Sequence, residues 1–384
     1  MDAPLDLDGY LSECRAWVLD EIRAMVPRQG KAAETLYAPM LAYPLRAAKG
    51  LRPALCVATC RALGGSLEAV LPSAAVLELY HNAFLIHDDV EDGSEKRRDE
   101  PTLHRTHGVP VAVNVGDAML ALALGPLLDN MRVLDMGRAI RVLQVVARMA
   151  RESAEGQAVE LDWVRRARWE LTDDDYLSMV DQKTGWYSFV APVVIGAIVA
   201  EAPRAQVDAL AEFARVLGAA FQIQDDALNL DADEAAYGKE IAGDLWEGKH
   251  TLILLHGLRS MPEADRRRAL AILAKPRPPS VEGEHLASRV MARARALRAE
   301  GELSERGLDA LTAALSGGAT KTTDEVAWLH EQLRAHGSVE YARGVARSRA
   351  EAAGAQLDAM TFLRPSVHRA VLEAMVEFVV RRDR

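Results

Sequence analysis

The sequence predicts an all-α protein, and three observations predict it. Between residues 207 and 224, VDALAEFARVLGAAFQIQ, the apolar residues Leu210, Phe213, Leu217 and Phe221 recur every three or four positions, which places them on one buried face of a helix. Alanine, leucine, arginine and glutamate, all good helix formers, fill this and the other long segments. Alternation of apolar and polar residues, the mark of a half-buried strand, is scarce.

Short breaks divide the helical segments at Gly64-Gly65, Gly108 to Pro110, Pro203 and Gly238. KPRPPSVEGEH, from Lys275, is the clearest loop, and the glycine- and threonine-rich stretch Ser316 to Asp324 is a second. The charged helical segment between them, 286–315, reads as an added surface element. No repeat of fixed period is present. The simplest organisation is a single domain over 1–384 with a surface insertion near 275–324.

Composition excludes several function classes. A chain of 384 residues, 49% hydrophobic, buries a large core. A net charge of −10 and a pI near 5.6 argue against nucleic acid, which calls for a basic face. Any anionic substrate must therefore meet a local basic cluster. Cys14, Cys56 and Cys60 are too few and too unevenly spaced for a disulfide framework or a four-ligand zinc site, and a reducing cytoplasm is expected. MDAPLDLDGYLSE lacks the basic, apolar, small-residue order of a signal peptide. The longest uncharged run, Thr184 to Ala200, is shorter than the roughly 20 residues that cross a bilayer and reads as a buried helix.

Three constellations carry chemistry. The first is HNAFLIHDDVEDGSEKRRDEPTLHRTHG, residues 81–108. Asp88 and Asp92 stand four apart, on one helical face, with Asp89 beside them. Such oxygen donors suit magnesium, which takes one or two carboxylates and fills its other positions with water and phosphate. Acidic runs otherwise mark solvated surface or helix starts, as Thr172 with Asp173, Asp174 and Asp175 does in a predicted capping box. What separates the first case is its flank: Val70 to Ile86 carries one formal charge, Glu78, so the aspartates stand where a buried helix emerges. Arg97 and Arg98 follow closely and offer positive charge to a diphosphate.

The second constellation, FQIQDDALNLDADEAAYGKEIAGDLWEGKHTL over 221–252, places Asp225 and Asp226 at the end of another apolar helix, followed by Lys239, Asp244 and Lys249. Its distance along the chain demands a different helix, and two carboxylate clusters on facing helices could hold metal ions from both sides around one diphosphate, which a single cluster does poorly. A calcium loop is the competing reading for DADEAAYG, but the ligand alternation and central glycine it requires are absent. The third is a scatter of polar groups, Lys49, Arg52, His81, Lys183, Thr184 and Gln222, each of which taken alone reads as surface or core.

AKGLRP at 48–53, ELYHNAFLIHDDVEDGSEKRRDEPTLH, DQKTGWYSF at 181–189, and FQIQDDALNL with GKEIAGDLWEGKHTL together resemble the ordered motifs of the trans-type polyprenyl synthetase family, from about residue 40 to 255. The resemblance implies the isoprenoid synthase fold, a bundle of long helices around a deep central cavity, commonly in a homodimer. It implies condensation of isopentenyl diphosphate with an allylic diphosphate, with Mg2+, three ions per site, bridging the allylic diphosphate. By matching position, Asp88, Asp89 and Asp92 resemble the first metal motif and Asp225 with Asp226 the second. Lys49, Arg52, His81 and Arg98 match the residues that hold isopentenyl diphosphate. Arg97, Lys183 and Lys249 match contacts to the allylic diphosphate, Thr184 and Gln222 match polar groups near the developing cation, and Lys239 and Asp244 belong to the same cradle.

Four positions depart from the pattern: Gly50 replaces a common arginine, Asp99 replaces the usual glycine after the arginine pair, Gly156, Gln157 and Glu160 only approximate a GQxxD element, and Asn229 stands for a third aspartate of the second motif. A class I terpene cyclase and a non-catalytic partner subunit are the rival functions. The first would need no isopentenyl site and has a differently spaced second motif; the second would be expected to lose metal-binding aspartates. For product length, Phe84 shares the face of Asp88, and Ala83 leaves space where short-chain members often place a ring. C20 geranylgeranyl diphosphate is the expected product, with C15 and C25 as alternatives, and Met119 or Leu120 as an alternative floor.

Overall fold

The computed structural model describes residues 5–231, 242–278, 281–315 and 320–381, and among them almost every element is helical. Helices α1 (Leu7–Met25), α2 (Leu51–Ala62) and α3 (Leu67–Glu91) come first. A two-residue β1 (Lys96–Arg97) pairs antiparallel with β2 (Glu100–Pro101). Then follow α4 (Val109–Leu122), α5 (Leu124–Val133), α6 (Met136–Arg166) and α7 (Asp173–Val180), a π-helical segment Asp181–Val190, α8 (Ala191–Val199) and α9 (Arg204–Asp231). The remainder comprises α10 (Gly243–Glu247), α11 (Leu252–Ser260), α12 (Glu263–Leu273), α13 (Val281–Ala299), α14 (Glu305–Leu315), α15 (Thr323–Ala335), α16 (Ser338–Asp358) and α17 (Val367–Arg381).

Helix α3 is central for a reason visible in its residues. Ser66 caps it, its hydroxyl accepting the Ala69 N–H at 3.2 Å, and from Val70 to Ile86 it is apolar on nearly every side. A helix without a polar face must be surrounded, and α1, α2, α4 and α5 pack around it. Its one internal charge, Glu78, is buried and accepts from the Asn82 amide at 3.0 Å. Helix α9 is the second organiser. Leu210, Phe213 and Leu217 are fully buried, as their spacing predicts, and truncating the Phe213 ring to alanine would cost about 3–5 kcal/mol. The N-terminal half of α9 belongs to a core built on α1 to α6 and α8, whereas Ile223, Ala227 and Leu230 belong to a second core with α11, α12, α15 and the start of α16. Their meeting point is where Asp225 and Asp226 stand.

The capping box expected at Thr172 is present: its hydroxyl accepts from the Asp175 backbone, and the Asp175 carboxylate accepts from the Thr172 N–H at 2.8 Å. Helices α13 and α14 pack chiefly on each other. Two stretches, Leu67–Glu91 and Val109–Val133, are long and apolar enough to reach across a bilayer. The first is a core helix, its apolar window 72% buried; the second is 33% buried and turns Val113, Leu124, Leu128 and Met131 outward.

Candidate active site

Four local features build the site. First, α3 ends at its aspartates, so Asp88 and Asp92 project from the last turn of a helix held rigidly inside the core. Second, the turn between β1 and β2 has only two residues, Arg98 and Asp99, both with positive φ (54° and 64°), as a tight two-residue hairpin turn requires. That conformation explains why glycine is usual where Asp99 stands; aspartate is among the few other residues that tolerate it. Arg46 secures the hairpin by donating to the carbonyls of Arg97 (3.0 Å) and Pro101 (2.6 Å). Third, the π-helical segment places Lys183 and Thr184 on the cavity wall, an irregularity common at functional sites. It packs on α6 so closely that a Cβ on Gly156 would lie 2.4 Å from the Lys183 nitrogen. The approximate GQxxD element thus packs on the site: Gly156 admits the backbone of Lys183, and the buried Glu160 carboxylate forms a tight ion pair with its ammonium. Fourth, Gly248, with φ +74°, ends α10 and turns Lys249 back toward α3.

These elements enclose one cavity of about 560 Å³. Arg52, His81, Asp88, Arg97, Arg98, Lys183, Thr184, Gln222, Asp225, Asp226, Asp244 and Lys249 all line it. Its two ends differ in chemistry. At one end Arg52 donates to His81 Nε2 at 3.2 Å and to the Ser188 hydroxyl at 2.7 Å. A guanidinium only donates, so Nε2 accepts and the imidazole is neutral. Burial, with Arg52, Arg98 and Arg97 beside it, holds His81 well below the usual histidine range. His81 thus contributes a hydrogen bond rather than a charge. Burial and the neighbouring Arg52 and Arg97 push Arg98 down to about 10 against the pull of the buried Glu78, so Arg98 keeps its charge at neutral pH.

At the other end carboxylates and lysines interlock. Lys249 Nζ lies 3.0 Å from Asp92 and 2.8 Å from Glu247; Lys183 lies 3.9 Å from Asp88 and touches Glu160. Burial works against both ammonium charges, but Asp88 and Glu160 around Lys183, and Asp92 and Glu247 around Lys249, outweigh it and raise both above the ordinary lysine value. Asp92 is held below its usual range despite burial, by Lys249 and Lys183. Across from them, burial and the adjacent Asp244 push Asp226 well above the carboxylate range, although Tyr176 and Gln222 donate to it at 2.6 and 2.7 Å.

Six expected positions fall elsewhere. Asp92 is not on the cavity wall: it caps the end of α3, and its carboxylate pairs with Lys249 at 3.0 Å. Asp89 is not on the cavity: it is fully buried, accepts from the Tyr43 hydroxyl at 2.6 Å and from Arg97 Nε at 2.9 Å, and so anchors an arginine in place of offering a metal ligand. A neighbour along a helix lies about 100° round from Asp88, which turns it into the core. Asn229 is buried too, and its side-chain oxygen accepts the Asp244 N–H at 3.2 Å; it fixes the Asp244 loop and is absent from the cavity wall. Ala83, five residues before Asp88, points into the core and lines neither the main cavity nor its extension. Lys49 is off the wall, its ammonium 4.6 Å from the Phe378 ring of α17. Lys239 lies outside the described residues.

Phe84 does line an adjoining apolar pocket of about 330 Å³, with Tyr80, Leu120, Ala150 and Tyr187. It shares Leu85, Asp88, Lys183 and Tyr187 with the main cavity, so it continues from the aspartates along α3. Phe84 meets the edges of Tyr80 and Tyr187 at 5.9 and 5.6 Å. Of the two alternative floor residues, Leu120 is on its wall and Met119 is in the core. Sequence reasoning missed Tyr43 and Tyr176, which brace Asp89 and Asp226; a lone tyrosine remote from both motifs carries no signal of that role.

Among the described residues no three acidic, histidine or cysteine groups form a ready-made metal cage. Magnesium needs none, since it keeps waters and takes phosphate oxygens alongside one or two carboxylates. The donor set fits it: Asp88 on one bank, with Asp92 one turn on and held by Lys249, and Asp225 and Asp226 on the other are hard oxygen donors. Burial and then Asp244 raise Asp226, and a divalent cation held there would relieve the repulsion between the two carboxylates.

Comparison with known proteins agrees with this architecture. The family model described as polyprenyl synthetase matches residues 33–286. A short chain isoprenyl diphosphate synthase of Methanocaldococcus jannaschii is 38% identical over 225 residues, 59% of this chain and 67% of that protein. The crystal structure of geranylgeranyl pyrophosphate synthetase from Pyrococcus horikoshii superposes with a TM-score of 0.78 at 28% identity over 98% of both chains. That of geranylgeranyl pyrophosphate synthase from Corynebacterium glutamicum, complexed with isoprenyl diphosphate and magnesium, gives 0.76 at 26% identity, covering 98% of this chain and 100% of that one. With its all-α isoprenoid synthase fold and its two aspartate motifs brought to one cavity, the chain belongs to the polyprenyl synthetase family, the trans-type prenyltransferases that join isopentenyl diphosphate to an allylic diphosphate.

Proposed function

We propose that this chain is a magnesium-dependent synthase that extends an allylic diphosphate with isopentenyl diphosphate to C20 geranylgeranyl diphosphate. The observation that carries the reading is the two-ended cavity: guanidinium groups gathered around His81 at one end, lysines interlocked with carboxylates at the other. Two diphosphates of different fate need two such sites. The one that stays attached requires only charge and hydrogen bonds, from Arg52, Arg98 and His81, with Lys49 nearby. The one that leaves requires stabilisation of the charge it develops.

Magnesium, when bound between the two aspartate banks, supplies charge neutralisation for the departing diphosphate. The protein's own part is electrostatic. Lys183 and Lys249 stay protonated at neutral pH and lie where the allylic C–O bond breaks; Thr184 and Gln222 present polar groups to the allylic cation. The alkene of isopentenyl diphosphate attacks that cation, a C–C bond forms, and the proton lost from the adjacent carbon goes to the released diphosphate. The growing chain then runs into the pocket of Phe84 and Tyr80. Phe84 stands one turn before Asp88 and Tyr80 two turns before it, about 12 Å along the helix. This supports a product of intermediate length. The outward apolar residues of α4 and α5, among them Leu124 and Leu128, support a homodimer.

The test is incubation of the pure protein with magnesium, isopentenyl diphosphate and, separately, C5, C10 and C15 allylic diphosphates, with products identified by mass spectrometry. C20 from all three primers is expected. No elongation from any primer would overturn the reading.

A further inference from the structure

Lys321 lies beyond the family-matched stretch, on the far side of the α13–α14 pair from the catalytic motifs in sequence, yet it is only 2% exposed. Its Nζ donates to the Trp246 carbonyl at 2.8 Å, in the last turn of α10. Its backbone N–H donates to the Pro276 carbonyl at 3.0 Å, which joins the two chain segments that flank α13 and α14. Gly248 follows immediately, and a Cβ there would sit 3.4 Å from the Lys321 ammonium. The next residue is Lys249, which bridges Glu247 and Asp92. Arg277, beside Pro276, approaches Glu247 at 3.7 Å, and Lys275 forms a tight pair with Glu325.

The carbonyls of a last helical turn have no partner within the helix, and here a buried ammonium supplies one. Glu247 is at the same time surrounded by cations, Lys249, Arg277 and Lys321. Removing one of them increases the carboxylate's hold on the others. We propose that Lys321 is a positioning residue for the allylic diphosphate: it pins the carbonyl end of α10 and offsets Glu247, leaving Lys249 free to turn from Glu247 to the substrate. The inference rests on the reading of Lys249 as an allylic diphosphate contact. It makes the base of the insertion part of the catalytic apparatus, although Lys321 touches no substrate.

The experiment compares wild type with Lys321→Met, which keeps length but neither charge nor donor, and Lys321→Gln, which keeps a donor without the charge. KM is measured separately for C10 geranyl diphosphate and for isopentenyl diphosphate, together with kcat and Tm. Lys321→Met is expected to raise KM for geranyl diphosphate about tenfold, the scale on which loss of a supporting partner acts. KM for isopentenyl diphosphate should stay within about twofold, and Lys321→Gln should recover part of the loss. Unchanged constants, or an equal rise for both substrates, would overturn the proposal. If Lys321→Met is not recovered folded, Lys321→Gln decides it by the same split, an unchanged KM for geranyl diphosphate counting against. A wild-type protein that condenses nothing would instead remove the function proposed above.

Discussion

The Tyr176 hydroxyl donates to the Asp226 carboxylate at 2.6 Å in the buried wall of the cavity. A second tyrosine does the same for the first motif, Tyr43 donating to Asp89 at 2.6 Å. Each aspartate motif is thus braced from behind by a phenol that cannot ionise: burial, then the carboxylate itself, raises both tyrosines above their ordinary value.

Tyr176→Phe should therefore shift magnesium activation without abolishing it. The half-saturating magnesium concentration is expected to rise about tenfold, because Asp226 loses the group that orients it. Stability should fall by only about 1 kcal/mol, one buried hydrogen bond. A magnesium titration of turnover beside a melting curve checks both; an unmoved titration would mean that Asp226 binds no metal.

The two ends of the cavity should separate kinetically. Arg52→Met is expected to raise KM for isopentenyl diphosphate about 10- to 100-fold, the worth of a charge-assisted hydrogen bond, with a much smaller change for the allylic substrate. Lys49→Ala should act in the same direction but less, since its ammonium rests on Phe378. Initial-rate kinetics with each substrate varied in turn are the measurement, and equal effects on both KM values would contradict the division.

Two backbone positions make opposite predictions. Asp99 holds φ +64° at a cost that glycine would not incur, so Asp99→Gly should stabilise the fold by up to about 1 kcal/mol. Gly50 holds φ +68°, and a Cβ there would stand 2.8 Å from Arg15 Cβ, so Gly50→Ala should cost about 1–2 kcal/mol. The arginine common at that position has no room here. Denaturant unfolding of both variants tests the pair; Gly50→Ala as stable as wild type would show that Arg15 yields.

Stability should fall on the acid side because histidines are buried neutral. Burial pushes His250, stacked 3.9 Å from the Trp169 ring, down to about 4. Between its ordinary value of about 6.5 and 4 the unfolded chain binds a proton that the folded one refuses. The contribution of His250 is thus complete above 6.5 and is lost as pH falls toward 4. His81 acts in the same direction. His250→Gln should flatten the decline of Tm between pH 6.5 and 4, and an unchanged slope would show that the imidazole is not the source.

Product length should respond to the ring on the pocket wall. Phe84→Ala is expected to shift the products upward by at least one C5 unit, since one helical turn, roughly 5.4 Å, is about the length of an isoprene unit. Tyr80→Ala in addition should lengthen them again. Mass spectrometry of the products reads the outcome, and an unaltered distribution would place the floor at Leu120 or beyond.

What the sequence determined by itself was what repeats along the chain or concentrates in it. The period of α9, the apolar flank of α3, the capping box at Thr172 and the two aspartate pairs are local properties, and the cavity assembles from the segments that carry them. The tertiary structure decided which face of each motif looks inward. Asp88 and Asp89 are neighbours with the same chemistry, yet the rotation of about 100° between them puts one on the cavity and the other in the core against Tyr43. The same rotation separates Phe84 from Ala83. Asn229, in the place of a metal ligand, instead holds the Asp244 backbone. The braces Tyr43, Tyr176 and Lys321 reach their targets from distant parts of the chain, and a hydrogen bond between remote residues leaves no pattern in one sequence because only packing brings its two ends together.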